Sequence, residues 1–319
     1  MTGSDILKKT VALAVVFCSA AINAQYPAQL RDGASGPDVV VTGKPEPTEK
    51  QAVEQAKAIS RVGDVHQDPL ARFSDPICPG VLGLPEDAAG IIADRIRYDA
   101  ERVGAPVSAS TDCKANILIV FTRDGGAEVR KLIKTRGYLF DGLETSETRE
   151  LQIEPGPVRA WNVTQTRNRH GQEQSGALAV PGMVSIDSNP GLGPLRVIVS
   201  PNSSSHIFLA SRLDITASVV IMDLAALDGL PVVQIADYAA MRSLARTRPA
   251  KSDAAASTIL SLFDPAGQPP REITSFDLAY LRSLYDAGSN VKASAKILDV
   301  ARMLEKGEAL ATKDAAADP

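Results

Sequence analysis

The sequence predicts an α/β fold in which a mixed, twisted sheet packs against helices. Residues 117–122 read ILIVFT, a short β-branched run that is typical of an interior strand. Residues 156–166 alternate apolar and polar side chains as a second strand does, and residues 128–135 between the two strands have a helical pattern. The longest apolar stretch, 213–246, passes from a strand through a glycine turn into a helix, so we expect it to form the core.

Capping residues and the periodicity of apolar residues predict the other helices and strands. Thr48 and Gln51 have the spacing of a capping box, so a first helix begins there. Pro85 begins a second helix, which Gly104 ends. A polar segment, 167–194, predicts a long surface loop. Beyond it, the patterns predict strands over 195–200 and 217–224, a helix over 231–246, a short helix over 257–263, and helices over 274–287 and 293–306.

Length and charge limit the possible functions. A chain of 319 residues can bury a core large enough to fold without a metal or a disulfide. We expect a flexible leader over 25–47, one globular α/β domain over 48–306 and a disordered tail over 307–319. The formal net charge is −4, and the chain has no run of Lys and Arg with interleaved aromatic residues. Binding to nucleic acid is therefore not expected.

The first residues predict export. Lys8 and Lys9 precede an apolar run over 11–22, and small residues lead up to Ala24. This arrangement is typical of a signal peptide over 1–24. The run is too short for a membrane anchor, because a spanning helix needs about 20 apolar residues, so we expect no membrane span after the signal is removed. The protein is expected in the periplasm, or secreted, from a Gram-negative bacterium.

Two cysteines remain after the signal peptide, Cys78 and Cys113. Because disulfides persist in exported compartments, we predict that the two form a bridge. The alternative is a pair of free, buried thiols. A catalytic thiol is disfavoured, since Pro76 and Pro79 flank Cys78 closely and no nearby His supplies a base.

Two stretches of the chain carry a family resemblance. The first is the helix around VVQIADYAAMRSLAR, which follows a strand and a glycine turn, and the second reads EITSFDLAYLRSLYDAG. Over about 117–304 the chain resembles bacterial exported proteins of unknown function whose fold is like that of metzincin zinc peptidases. The resemblance implies a His-Glu-x-x-His signature on the first helix and a second helix that ends in Leu-Tyr with an Asp close behind. Leu284, Tyr285 and Asp286 match the second feature.

The zinc signature itself is missing from this chain. Ala236 and Ala240 stand where the resemblance implies histidines, and Asp237 stands in the position of the catalytic Glu. Alanine offers no ligand to a metal, so we expect neither a metal nor another cofactor. The chain has three histidines, all in predicted loops: His66, His170 and His206. It also lacks the Gly-x-Ser-x-Gly turn of serine hydrolases and a glycine-rich phosphate loop.

The helix over 231–246 still offers polar side chains that we expect to line a cleft beside it: Gln234, Asp237, Tyr238 and Arg242. A carboxylate on an otherwise apolar helix needs a partner. Arg242, five residues after Asp237, could be that partner only if the helix bends. Tyr238 and Arg242, at i and i+4, are the more natural neighbours.

Two functions remain open from the sequence. The first is an exported, non-catalytic, peptidase-like scaffold, a pseudoenzyme that binds a peptide or a cell-envelope partner. The second is a hydrolase that uses carboxylates in the same cleft. Four acidic residues lie in or near the central region: Asp187, Asp214, Asp223 and Asp237. Their spacing does not show which two would flank one substrate bond.

Overall fold

A five-stranded sheet with one antiparallel strand lies between two layers of helices. The structure is a computed structural model that describes residues 47–140, 143–172, 208–286 and 288–316, with side chains as far as 307. The helices are α1 (Glu49–Ile59), α2 (Glu86–Arg102), α3 (Gly125–Thr135), α4 (Thr145–Ile153), α5 (Val232–Leu244), α6 (Ser275–Asp286) and α7 (Ala293–Ala316). The strands are β1 (Arg72–Phe73), β2 (Pro79–Leu82), β3 (Ile117–Thr122), β4 (Val158–Asn168) and β5 (Ser211–Asp223).

The long strand β5 organises the sheet. It pairs with β4 in antiparallel fashion along its whole length, and with β1 and β3 in parallel fashion on its other side. β1 contacts the start of β5, where Arg72 lies opposite Asp214, whereas β3 pairs with the end, from Ser218 onwards. β2 extends the sheet beyond β3. The sheet is therefore mixed and dominated by parallel pairs, as the predicted α/β class requires.

Alternating residues of β5 contribute to a core on each face of the sheet. Val220 and Met222 belong to the large core, in which residues of α1, α2, α5, α6 and α7 also pack. Val219 and Ile221 belong to a smaller core under α3 and α4. In this smaller core the ring of Trp161 stacks on Phe140, with 4.8 Å between centroids.

Most predicted elements are confirmed. β3 has the predicted bounds, the strand over 156–166 is β4, and the capping box of Thr48 and Gln51 begins α1. The short helix predicted over 257–263 is a single 3-10 turn, Ile259–Ser261. Residues 307–316 continue helix α7, although we expected a disordered tail there.

Several other predictions fall on residues that the structure does not describe. The signal peptide and nearly all of the leader lie within 1–46, and most of the predicted loop and the strand over 195–200 lie within 173–207. Within the described part, no helix is long and apolar enough to cross a membrane. The described residues belong to one compact unit.

Three elements were missed because their residues are polar or few. β1 and β2 are only two and four residues long. α4 has a single buried residue, Leu151, so its sequence shows no apolar stripe. It is held instead by a capping box between Glu144 and Glu147 and by the ion pair of Arg246 with Glu147, at 2.6 Å.

Candidate functional site

The structure places all four predicted site residues on α5 and buries all of them. Gln234 is 4% exposed, Tyr238 and Arg242 are each 1% exposed, and Asp237 is fully buried. The expectation that they line an open cleft is therefore not met. The physical reason is that residues on every side of α5 are buried, from Gln234 to Leu244, so the helix lies inside the core rather than beside a groove.

Asp237 is held by an arginine from a different helix. Arg95 of α2 donates from Nε to Oδ1 at 2.6 Å and from Nη2 to Oδ2 at 3.1 Å. The backbone N–H of Ile273 donates to Oδ2 at 2.6 Å. Both oxygens are thus bonded, and the carboxylate ties α5 to α2 and to the chain just before α6. The partner considered from the sequence, Arg242, bonds to Tyr238 instead.

A second buried carboxylate, Asp99, lies next to this pair. Its Oδ2 is 3.7 Å from Arg95 Nε, and its Oδ1 is 3.5 Å from Arg102 Nη1. Burial, followed by the nearby charge of Asp237, raises the pKa of Asp99 to about 7. The hydrogen bond to Asp237 raises the pKa of Arg95. The cluster can therefore hold one proton near neutral pH, but with Asp99 and Asp237 both fully buried it offers no carboxylate to a substrate.

This raised pKa predicts a pH dependence of stability. The folded protein keeps the proton of Asp99 up to about pH 7, whereas an ordinary Asp ionises near 3.8. Between these values the folded state binds more protons than the unfolded state, so stability falls as pH rises. Between about pH 5 and about pH 8, we expect the free energy of unfolding of the wild type to fall by at least about 1 kcal/mol more than that of Asp99→Asn. Urea denaturation at both pH values measures the difference.

The matched control for this prediction is Asp94→Asn, on the same helix but exposed. The free energy of unfolding of Asp94→Asn should depend on pH as that of the wild type does. An Asp99→Asn protein with the wild-type pH dependence would show that Asp99 does not retain its proton on folding.

The other predicted site residues pack against core groups. Arg242 Nη1 donates to the Tyr238 hydroxyl at 3.3 Å, and its guanidinium lies 5.9 Å from the ring centroid, so the predicted i, i+4 contact is confirmed. Tyr238 also meets Phe263 edge to face, and burial raises the pKa of its hydroxyl. Gln234 Nε2 donates to the carbonyl of Pro270 at 2.6 Å.

The end of α6, where the Leu-Tyr-Asp resemblance lies, fixes the end of α5. The Tyr285 hydroxyl donates to the carbonyl of Leu244 at 2.7 Å and accepts from the N–H of Phe73 at 3.4 Å. Burial raises the pKa of this hydroxyl. Tyr285 thus connects α6, α5 and β1 as a structural residue.

The remaining acidic residues and histidines do not gather around α5. Asp214 is bonded by Ser74, Arg167 and Arg212, and Asp223 accepts from the N–H of Gly125. His66 and His170 are exposed on loops. Asp187 and His206 lie outside the described residues. Within the described ranges, no three His, Cys, Asp or Glu side chains are close enough together to hold a metal ion.

Sequence reasoning missed a cluster of arginines around Asp214. Arg72, on β1, and Arg212, on β5, line a recess of about 220 Å³ together with Ser74 and Tyr285. The available signal was the spacing of Arg212 and Asp214 at i and i+2, which puts two opposite charges on one face of a strand. That signal was missed because the strand was predicted to begin only at residue 217.

The predicted disulfide is present. Cys78 and Cys113 are joined at 2.04 Å between sulfurs, with 6.0 Å between their Cα atoms. The bridge ties the residue before β2 to the loop that leads into β3. It therefore braces the outer edge of the parallel part of the sheet.

Comparison with known proteins gives no assignment. No family model matches the chain, and no curated protein or solved structure shows significant similarity to it.

Proposed function

We propose that this protein is an exported, non-catalytic binding protein that takes up an extended peptide of a cell-envelope partner along the outer edge of β4. The observation that carries the proposal is the position of β4. This strand is eleven residues long and, among the described residues, pairs only with β5. A strand edge of this kind presents backbone donors and acceptors to an added peptide strand.

The register identifies which backbone groups face outward. Ser218 of β5 donates its N–H to the carbonyl of Asn116, on the β3 side. Its antiparallel partner Asn162 is therefore in a non-hydrogen-bonded pair, and the Asn162 backbone N–H and C=O point away from β5. Because this direction alternates along a strand, Thr164 and Thr166 also point their backbone groups outward.

The far end of β4 agrees with this alternation. Asn168 donates its N–H to the carbonyl of Gln172 in the following turn, at 2.9 Å, rather than to β5. The first half of β4 is covered, since Trp161 Nε1 donates to the carbonyl of Leu139 at 2.7 Å. The second half, 163–168, is only half-buried. We therefore assign peptide addition to this second half.

Burial of the central helix favours binding over hydrolysis. A carboxylate that activates water must reach both the water and the substrate. Asp237 is fully buried, and both its oxygens are bonded within the protein. The alternative of a carboxylate-dependent hydrolase beside α5 therefore has less support than a peptidase-like scaffold without catalysis.

Export has its own support. A disulfide between Cys78 and Cys113 is the kind of bond that persists outside the cytoplasm. The pattern of residues 1–24 is that of a signal peptide. The resemblance to exported, metzincin-like proteins rests on the same order of strand, Gly229 turn and helix that β5 and α5 follow.

The test is a proline substitution at the outward position of the edge strand. A peptide selected from a display library for binding to the purified protein serves as the probe. Thr166→Pro removes an outward N–H without removing a bond to β5, so we expect peptide affinity to fall at least about tenfold. Calorimetric titration measures the affinity.

The matched control is Thr166→Val, which alters the same side chain but keeps the N–H. Its affinity should stay within about twofold of the wild type. Thermal unfolding confirms that both variants are folded. Equal affinity of the proline and valine variants would contradict addition at this edge.

A further inference from the structure

The outer face of helix α3 carries a row of cations. A shallow recess of about 320 Å³ lies on this face, and every residue that lines it belongs to α3: Ala127, Arg130, Lys131, Lys134 and Thr135. Residues three or four positions apart share one side of a helix, so these side chains project in the same general direction. All of them are exposed. The three cations among them therefore face solvent together.

Two of the three cations have no counter-charge. Lys131 Nζ is 3.1 Å from Glu128 Oε1, so this lysine is paired. Neither Arg130 nor Lys134 forms an ion pair with any residue that the structure describes. Because the pair of Lys131 and Glu128 contributes no net charge, two unpaired positive charges remain on this face.

The acidic residues at the start of α3 are engaged there. Asp124 caps the helix by accepting from the N–H of Ala127 at 2.8 Å. Asp223, at the end of β5, accepts from the N–H of Gly125. Carboxylates in these positions bind the free N–H groups of the first helical turn. These two acids therefore lie at the other end of the helix from Lys134.

Helix α4 packs against α3 and is acidic, but its carboxylates are bound elsewhere. Glu144 caps the start of α4. Arg61 Nη1 is 3.9 Å from Glu147 Oε1 and 3.3 Å from Glu150 Oε2. Glu154 also lies near Arg61. Strand β4 packs against α3 as well, and both of its charged residues are arginines. The described neighbours of α3 thus leave its cations uncompensated.

The segment around α3 is basic in an otherwise acidic protein. From 123 to 136 the sequence has five basic and two acidic residues, a net charge of +3, whereas the whole chain has a formal net charge of −4. Arg123 and Arg136, at the two ends of this segment, are exposed. The turn that follows, Gly137–Phe140, has no charged residue, and its Tyr138 is 60% exposed. A basic surface is therefore followed directly by an exposed aromatic side chain.

The shape of this face decides between possible partners. A small ligand or a peptide is usually held in a cleft or groove with walls on more than one side. This recess has one wall, because a single helix supplies all the residues that line it. A broad array of negative groups meets all three cations at once and needs no second wall. Anionic lipid headgroups at a membrane surface form such an array.

We propose that the outer face of α3 docks on a membrane surface that carries anionic lipid headgroups. Lys and Arg side chains are attracted to such a surface, and the attraction adds over the cations present. Tyr138 suits the same boundary, since tyrosine rings are enriched at the level of the headgroups. A surface contact of this kind needs no helix that spans the membrane. It does not depend on peptide addition at β4.

Flotation of the purified protein with lipid vesicles tests this docking. One set of vesicles contains phosphatidylglycerol and phosphatidylcholine in about equal amounts, and the other contains phosphatidylcholine alone. We expect at least about tenfold stronger partitioning to the anionic vesicles, and a loss of most of it at about 0.5 M salt, because salt screens exposed charges. Equal partitioning to both sets, or binding to neither, would overturn the proposal. Tighter binding of soluble poly-glutamate than of the anionic vesicles would also overturn it, in favour of an acidic protein partner.

Substitutions then locate the docking surface. Arg130→Gln together with Lys134→Gln removes the two unpaired cations and should weaken binding to anionic vesicles at least about tenfold. Lys134→Gln alone should weaken it about threefold and replaces the double variant if that does not fold. The matched control is Lys50→Gln together with Lys57→Gln, which removes equal charge from exposed side chains of α1, on the other face of the sheet. Its binding should stay within about twofold of the wild type. Wild-type binding by the folded α3 variants would show that this face does not dock.

Discussion

Asp237→Ala is expected to lower the free energy of unfolding by about 3 kcal/mol, because it removes the fully buried carboxylate of an ion pair whose arginine is partly buried. The substitution leaves the Arg95 guanidinium without its closest counter-charge and leaves the backbone N–H of Ile273 without an acceptor. Because the carboxylate joins α5, α2 and the chain before α6, these elements should loosen together. Urea denaturation followed by circular dichroism measures the loss.

Asp94→Ala is the matched control for Asp237→Ala. Asp94 is exposed on α2, immediately before Arg95, so its removal should change stability by less than about 0.5 kcal/mol. Equal stabilities of the two variants would mean that the pair of Arg95 and Asp237 does not hold α5 in the core.

Removal of the disulfide is expected to cost about 4 kcal/mol of stability. The bridge closes a loop with a sequence separation of 35 between Cys78 and Cys113, and breaking it increases the conformational freedom of the unfolded chain. The variant is Cys78→Ser together with Cys113→Ser, and its free energy of unfolding is compared with that of the oxidised wild type.

Reduction gives an internal control for the disulfide prediction. The wild type in excess dithiothreitol should have nearly the stability of the double serine variant, and the variant itself should not respond to dithiothreitol. If the oxidised and reduced wild type unfold at the same urea concentration, the bridge contributes no stability.

The elements that the sequence predicted well are those with a strong apolar pattern. β3 is a continuous apolar run in the sheet interior, and α5 is the most apolar of the central helices, so each could be placed from local residues alone. β5 was predicted to begin at 217, although it begins at Ser211. Its first residues include Arg212 and Asp214, which pair with each other, and Asp214 also accepts hydrogen bonds from Ser74 and Arg167, which are distant in sequence.

The partners within the candidate site could not be predicted either, because they too are distant in sequence. The sequence showed that Asp237 needs a partner, and local spacing suggested Arg242. The actual partner, Arg95, is separated from Asp237 by 142 residues and reaches it only because α2 packs on α5. Periodicity also did not show that every side of α5 would be covered, because that depends on how many elements pack around the helix.

The central claim is that the second half of β4 takes up a peptide strand without cleaving it. Backbone amide hydrogen exchange by NMR, with and without the selected peptide, tests this claim most directly. We expect the amides of Thr164 and Thr166 to exchange more slowly with peptide bound, and the peptide to be recovered intact. Unchanged exchange at both amides, or cleavage of the peptide in proportion to the concentration of folded protein, would contradict the account.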